Sequence, residues 1–229
     1  MTDVVILSGG GRYADPWHPF AETSAALADL AREAGYEVDV RDDPDAALAA
    51  LDPGVRVLVV NAGDPGDRPP ADERVVAAAE AALDAASERG VGILAMHAAA
   101  ASLRDYAAFE RALGGRWVPD VSWHPPIGRA HVHVVGNHAI AEGLTDFTVV
   151  DERYTRLQLL ATIEPIAEHE EDGTRHPLVW AREVGHSRLV YDALGHDVRS
   201  YESPEHRALL TRALAWLAAV PGPSADDRV

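Results

Sequence analysis

The 229-residue chain contains no cysteine, which excludes disulfides, a thiolate nucleophile, cysteine-ligated zinc and iron–sulfur clusters. It contains no lysine either, so all 20 basic residues are arginine. Schiff-base chemistry and lysine-held pyridoxal phosphate (PLP) are closed by that absence. Positive charge is scarce altogether: 37 acidic residues give a formal net charge of -17, and phosphate backbones and anionic membrane surfaces are disfavoured partners. No nucleic acid and no membrane is expected as a partner. No apolar run approaches the roughly 20 residues of a membrane span. Met1-Thr2-Asp3 leads into Val4-Val5-Ile6-Leu7 without a basic flank, so the expected location is cytoplasmic. Hydrophobic residues make up 47% of the chain, ample for one large core.

What the sequence does hold is a strand-length apolar run, Gly90-Val91-Gly92-Ile93-Leu94-Ala95-Met96, that stops at His97 and passes straight into Ala98-Ala99-Ala100-Ala101-Ser102. It reads as strand, sharp turn and helix. In α/β folds such a turn lifts one side chain to the carboxyl edge of a parallel sheet. An imidazole there is a poor covalent nucleophile but a good general base or metal ligand, because the neutral ring offers a lone pair. The plainer reading is a core histidine satisfied by backbone.

The first half alternates buried strands (4–7, 36–40, 55–60) with helices (21–35, 45–51, 72–89), the pattern of a parallel, doubly wound sheet covered on both faces. The glycines of Ser8-Gly9-Gly10-Gly11 lack the Gly-x-Gly-x-x-Gly spacing, so no nucleotide is expected. After a helix at 106–113, five strand-like segments (129–135, 147–150, 163–169, 177–182, 187–193) predict a mixed or antiparallel extension. Ser203-Pro204-Glu205 opens a last helix ending near residue 219. Residues 1–220 are expected to form one α/β domain, and the polar tail 221–229 to be disordered.

Ligands of an open α/β sheet bind outside the carboxyl ends of its strands. That rule collects Trp17 and His18 after the first strand, Asn61 and Asp64 after the third, His97 at the central turn, and Gly195-His196-Asp197 after the last. Asp197 is placed to orient His196. In Asp151-Glu152-Arg153-Tyr154, Glu152 and Tyr154 share a face if the segment is extended. His124 and His138 sit in loops suited to a lid. His131 and His133 flank Val132 on one strand face, a spacing some zinc sites use; with no third ligand nearby in sequence, an exposed strand face is expected. His169, His176, His186 and His206 read as surface residues.

Assembled, these stretches resemble the ThuA-like family, named for trehalose utilisation. The resemblance spans Val4 to Leu217 and rests on Ser8-Gly9-Gly10 with Trp17-His18, the turn from Gly92 to Ser102, Leu113-Gly114-Gly115-Arg116, Asp151-Glu152 with Tyr154, His176-Pro177-Leu178 with Trp180, and Ala193-Leu194-Gly195-His196-Asp197. Ala139 is a departure, since the family usually has proline after the histidine at that point. The resemblance implies a flavodoxin-like, class I glutamine amidotransferase-like fold. Glutaminases of that fold carry cysteine at the turn, whereas this chain carries His97, so a Cys-dependent glutaminase is ruled out. It also implies a sugar-related role: hydrolysis, isomerisation or elimination on a trehalose-like disaccharide or its keto derivative, which makes the chain a carbohydrate hydrolase, lyase or isomerase. The expected catalytic residues are His18, His97, Glu152 and His196. Either the imidazoles of His18, His97 and His196 hold a zinc-like divalent ion, or the residues act directly as acid and base. Trp17, Asn61, Trp123, His124, Tyr154 and Asp197 are the expected substrate contacts. The partner is a small-molecule carbohydrate, with a homo-oligomer as a further option. The competing reading is a non-catalytic sugar-binding or assembly subunit that keeps the fold.

Overall fold

Apolar runs without polar alternation are the mark of strands covered on both faces, and they set the first half of the fold. The computed structural model describes residues 2–70 and 72–219; the tail at 221–229 lies outside them. Strands β1 (Val4–Ser8), β2 (Val38–Arg41), β3 (Val57–Asn61) and β4 (Gly92–Met96) are joined through helices α1 (Phe20–Glu33), α2 (Pro44–Ala49) and α3 (Glu73–Arg89). These strands pair in parallel, and β1, β3 and β4 are buried at every position. Asp43 and Asp72 cap the starts of α2 and α3, and Gly90 ends α3 in the left-handed conformation, at φ +89°, which glycine adopts without strain.

The second half contains α4 (Ala107–Leu113), β5 (Gly115–Arg116), β6 (Gly128–Val134), β7 (Phe147–Asp151), β8 (Gln158–Leu159), β9 (Glu164–Glu171), β10 (Thr174–Val184), β11 (Ser187–Asp192) and α5 (Pro204–Ala218). Nine strands make one sheet in the order β2-β1-β3-β4-β11-β10-β9-β6-β7, and β5 pairs with β8 apart from it. β11 runs parallel to β4; from there to β7 each pairing is antiparallel. The expected mixed extension is therefore the outer half of the same sheet. Among the described residues no helix is long and apolar enough to cross a membrane.

The alanine-rich segment differs from expectation. His97–Ala101 is a short 3₁₀ turn rather than the start of an α-helix. Its carbonyls are claimed from outside: Ala100 accepts the Trp117 N–H, and Ser102 accepts the Arg116 guanidinium. A helix could not continue without breaking those bonds.

The loop after β1 is fixed from below. Asp45, buried at the start of α2, accepts a forked pair of bonds from Arg12 and the hydroxyls of Tyr13 (2.7 Å) and Tyr106 (2.5 Å). The glycine run serves close packing: a Cβ on Gly10 would lie 2.0 Å from the Asp42 carbonyl oxygen.

Two histidines expected at the surface are fully buried. His169 donates through Nε2 to the Tyr154 carbonyl (3.0 Å), and burial lowers its pKa to about 4. His206, in α5, donates through Nε2 to Asp192 (2.9 Å) and through Nδ1 to the Ser200 carbonyl (3.0 Å). Burial opposes its charge, but the Asp192 carboxylate outweighs that and raises the pKa above 6.5. A raised folded-state pKa adds stability that is complete below the unfolded value and lost as pH rises through the folded one. The stability difference between the parent and a His206→Gln variant should therefore shrink as pH climbs from about 6.5 into the alkaline range, measured by urea denaturation; a difference independent of pH would mean that His206 is not charged in the fold. Ser200, His206 and Asp192 are all fully buried, so their serine–histidine–aspartate order makes no accessible nucleophile.

Candidate functional site

Four strand ends supply the site. His97 follows β4 with φ +43°, a left-handed conformation that costs a non-glycine residue on the order of 1 kcal/mol or more. Its Nδ1–H donates to the Ala193 carbonyl at 2.6 Å. A carbonyl can only accept, so the proton sits on Nδ1 and the Nε2 lone pair is free. His18, in the loop after β1, is set the same way: Asp15 accepts the backbone N–H of Trp17 and His18 and, at 2.8 Å, the His18 Nδ1–H. Carboxylates and carbonyls behind imidazoles are the usual device for orienting metal-binding histidines.

His196 follows β11 through Gly195, whose φ of +107° and proximity to the Tyr201 hydroxyl (2.8 Å from a would-be Cβ) leave room for no side chain. Two buried carboxylates hold this turn. Asp192 accepts the Leu194 N–H, while Asp151 accepts those of Glu152 (2.8 Å), Gly195 (2.7 Å) and His196 (3.2 Å). Glu152 is thus presented at the end of β7 by the same carboxylate that anchors His196.

The donor atoms converge. His97 Nε2 lies 3.3 Å from His196 Nδ1 and 3.4 Å from Glu152 Oε2, and His196 Nδ1 lies 3.2 Å from the same oxygen. A tetrahedral ion with bonds of about 2.0–2.1 Å has ligand-to-ligand edges of roughly 3.3–3.4 Å. His18 joins them, with one donor atom from each of the four residues within 4.8 Å of the others. Two nitrogen lone pairs 3.3 Å apart repel unless a proton or a cation lies between them. Three imidazoles and one carboxylate fit zinc, nickel or iron in donor type. Burial pushes the Glu152 carboxyl up, but the His196 and His97 imidazoles beside it outweigh that and hold it well below the usual range. Glu152 in turn raises His196 against the effect of burial, and burial lowers His18 despite Asp15.

With His97 buried beside them, His18, Glu152 and His196 of the cluster line a cavity of about 580 Å³. Trp17, Trp117, Pro119 and Tyr154 give it apolar walls, and Asp15, Asp64, His124 and Glu152 line it with polar groups. The Tyr154 ring lies 4.3 Å from the His97 ring, and Trp117 packs 4.6 Å from Tyr154. Trp17 is 72% exposed, at the mouth.

The structure thus brings together His18, His97, Glu152 and His196, with Trp17, His124 and Tyr154 around them. Three expected contacts lie elsewhere. Asn61 is buried and donates to Thr23 and Ser24 hydroxyls, tying β3 to α1. Asp197 is engaged by Arg199 and caps the turn after it rather than orienting His196. Trp123 bridges to Thr155 outside the cavity wall. His138 is no lid residue: it is buried against Trp216 and accepts the Ile140 N–H. Sequence reasoning missed Asp15, Trp117 and the anchoring role of Asp151. Only Asp15 has a local signal, an acceptor two and three residues ahead of the N–H groups of Trp17 and His18.

A protein-family model described as ThuA, trehalose utilisation, matches residues 4–217. No curated protein matches the sequence significantly. Among solved structures, a ThuA-like protein from Parabacteroides merdae is similar at 17% identity and TM-score 0.78, over 97% of this chain and 92% of that one. A second, from Bacteroides uniformis, gives 17% and 0.71 over 94% and 91%. A glutamine amidotransferase from Thermotoga maritima gives 11% and 0.56 over 95% and 98%. At these identities the likeness is one of fold.

Proposed function

The chain belongs to the ThuA family of trehalose utilisation, and from that premise we propose that it acts on a neutral, trehalose-like disaccharide or keto-sugar by hydrolysis, isomerisation or elimination. The observation carrying this reading is the near-equilateral donor triangle of His97, Glu152 and His196, with edges of 3.2–3.4 Å, at the floor of an aromatic-walled cavity. Among the described residues no arginine lines that cavity, whereas Asp15, Glu152 and Asp64, the last paired with Arg104, do. A phosphorylated or otherwise anionic sugar would meet like charge, and a neutral polyol finds acceptors for its hydroxyls. Trp117, half-buried in the wall, offers its ring to the C–H surface of a pyranose.

The residues that would hold a divalent ion are His18, His97, Glu152 and His196. Such an ion, when bound, supplies Lewis-acid polarisation of a hydroxyl or carbonyl oxygen. The protein's own groups divide the remaining work. Asp15 and the Ala193 carbonyl keep the His18 and His97 rings turned with Nε2 inward. Tyr154, Trp117 and Trp17 wall the cavity and reduce water access to the floor. His124, with Nδ1 3.5 Å from Glu152 Oε1, stands at the cavity side as a proton carrier within reach of a bound sugar.

Thermal shift with disaccharides, their keto forms and divalent metals tests the proposal. A ligand at ten times its Kd stabilises the folded state by about 1.4 kcal/mol, a rise of roughly 3–6 °C for a chain of this size. Trp117→Ala should abolish the sugar-induced rise while keeping the metal-induced one. No response to any neutral disaccharide or keto-sugar at millimolar concentration would overturn the substrate class. A sugar response that survives removal of the histidines, with turnover in neither protein, would identify a non-catalytic binding subunit.

A further inference from the structure

The sheet edge far from this cavity carries a second cluster that the family reading does not use. His131 and His133 alternate on one face of β6, and the β6–β7 register, Val132 opposite Phe147, brings Asp146 beside them from the foot of β7. We propose that His131, His133 and Asp146 form a second divalent-metal site, a clip between the two outermost strands.

The geometry is already close to that of a bound ion. His133 Nδ1 lies 2.9 Å and His131 Nε2 3.8 Å from Asp146 Oδ2, and one donor atom from each of the three lies within 4.8 Å of the others. These separations bracket the roughly 3.3 Å edge of a tetrahedral site, and rotation of two partly exposed rings closes the difference. The two rings stand at 88° with centroids 4.5 Å apart, so they flank a shared point rather than stacking. Asp146 is aimed by the backbone: its Oδ1 accepts the Val134 N–H at 2.9 Å, which leaves Oδ2 toward the imidazoles. Glu168 pairs with His133 across the β6–β9 ladder, and residues directly opposite in an antiparallel pair share a face. It lies on the same face as His133, loosely held by Arg175 at 3.9 Å.

Two imidazoles with a carboxylate and no thiolate select zinc, nickel or copper(II) over magnesium or calcium. The strongly acidic chain raises the local concentration of any cation. The site is separate from the cavity cluster: Asp146 precedes β7 and Glu152 follows it, about 20 Å apart at roughly 3.3 Å per residue. An ion here would fasten β7 to β6 at an edge of the sheet where β6 meets β9 through only two paired positions.

Full-length protein, stripped with chelator and equilibrated with Zn²⁺, is assayed for bound metal per chain, and copper(II) is then read by its nitrogen hyperfine pattern. The expected result is two zinc ions per parent chain, one in the His131→Asn/His133→Asn double variant, and one in His97→Asn, whose copper signal retains two coordinated nitrogens. Equal metal content in the parent and the double variant overturns the edge site. One ion in the parent that His97→Asn retains and the double variant loses would instead remove the cavity ion and keep the edge site, so the two readings fail separately. His131 and His133 are not among the residues that line the cavity, and their replacement should leave sugar-induced stabilisation unchanged.

Discussion

A His97→Asn protein, purified without chelator, is expected to lose the divalent ion proposed for the cavity cluster, with affinity falling by more than about 100-fold, and to lose turnover of any sugar that stabilises the parent. The scale follows from the position of the residue: removing an outer hydrogen-bond partner of a ligand typically costs 10–100-fold, and His97 is itself a donor, 3.3 Å and 3.4 Å from two others. Asparagine is chosen for the backbone. At φ +43° most side chains are strained, and asparagine tolerates the left-handed region better than nearly all of them. The fold should therefore survive with its melting temperature in metal-free buffer little changed, and the loss is chemical. A folded variant with the parent's metal content and turnover would move the chemistry away from this cluster.

Asp151→Ala is expected to be the most destabilising exchange around the site. Its carboxylate is 1% exposed and accepts the backbone N–H groups of Glu152, Gly195 and His196. Each buried donor left without a partner costs about 1–3 kcal/mol. Allowing for relaxation and non-additivity, the loss should be about 3–6 kcal/mol, or roughly 10–20 °C in melting temperature. Metal affinity should fall with it, because two of the four donors hang on those N–H groups. Asp151→Asn, which keeps one carbonyl acceptor, should lie between. Asp197→Ala, which removes only the cap of a short 3₁₀ turn and an exposed pair with Arg199, should cost about 1 kcal/mol. Urea denaturation of the three variants checks the order; an Asp151→Ala cost no larger than that of Asp197→Ala would remove the anchoring role.

The contrast between these two aspartates shows where sequence reading reaches its limit. The fold was legible because unalternated apolar runs such as 57–61 and 92–96 admit few structures other than covered strands, and because Gly90 and Ser203 mark helix ends in local chemistry. The four converging donors were legible because each follows a strand, where the open-sheet rule concentrates ligand contacts. Adjacency in sequence makes Asp197 the expected partner of His196, but consecutive side chains diverge, and the turn rests on Asp151, 44 residues from Gly195. Asn61 sits at a strand end too, yet its amide is used up by Thr23 and Ser24. Trp117 and Trp123 are indistinguishable in composition; only the path of the chain after Ala101 puts the first in the wall and the second outside. The His131–His133 pair lacked a third donor for the same reason, since Asp146 arrives through strand register.

The bond from Asp151 to Gly195 joins strands that have β10, β9 and β6 between them. A flat sheet would hold β7 and β11 roughly 19 Å apart at about 4.8 Å per strand spacing, so the antiparallel half must coil back until its last strand touches the parallel half. Assembly of the cluster consequently waits for the whole chain: His97 and His196 are 99 residues apart, and neither the first four strands nor the later five contain more than half the donors. Contacts of such long range form late in folding. Ion uptake should then serve as a clock for the final closure, lagging the appearance of secondary structure during refolding.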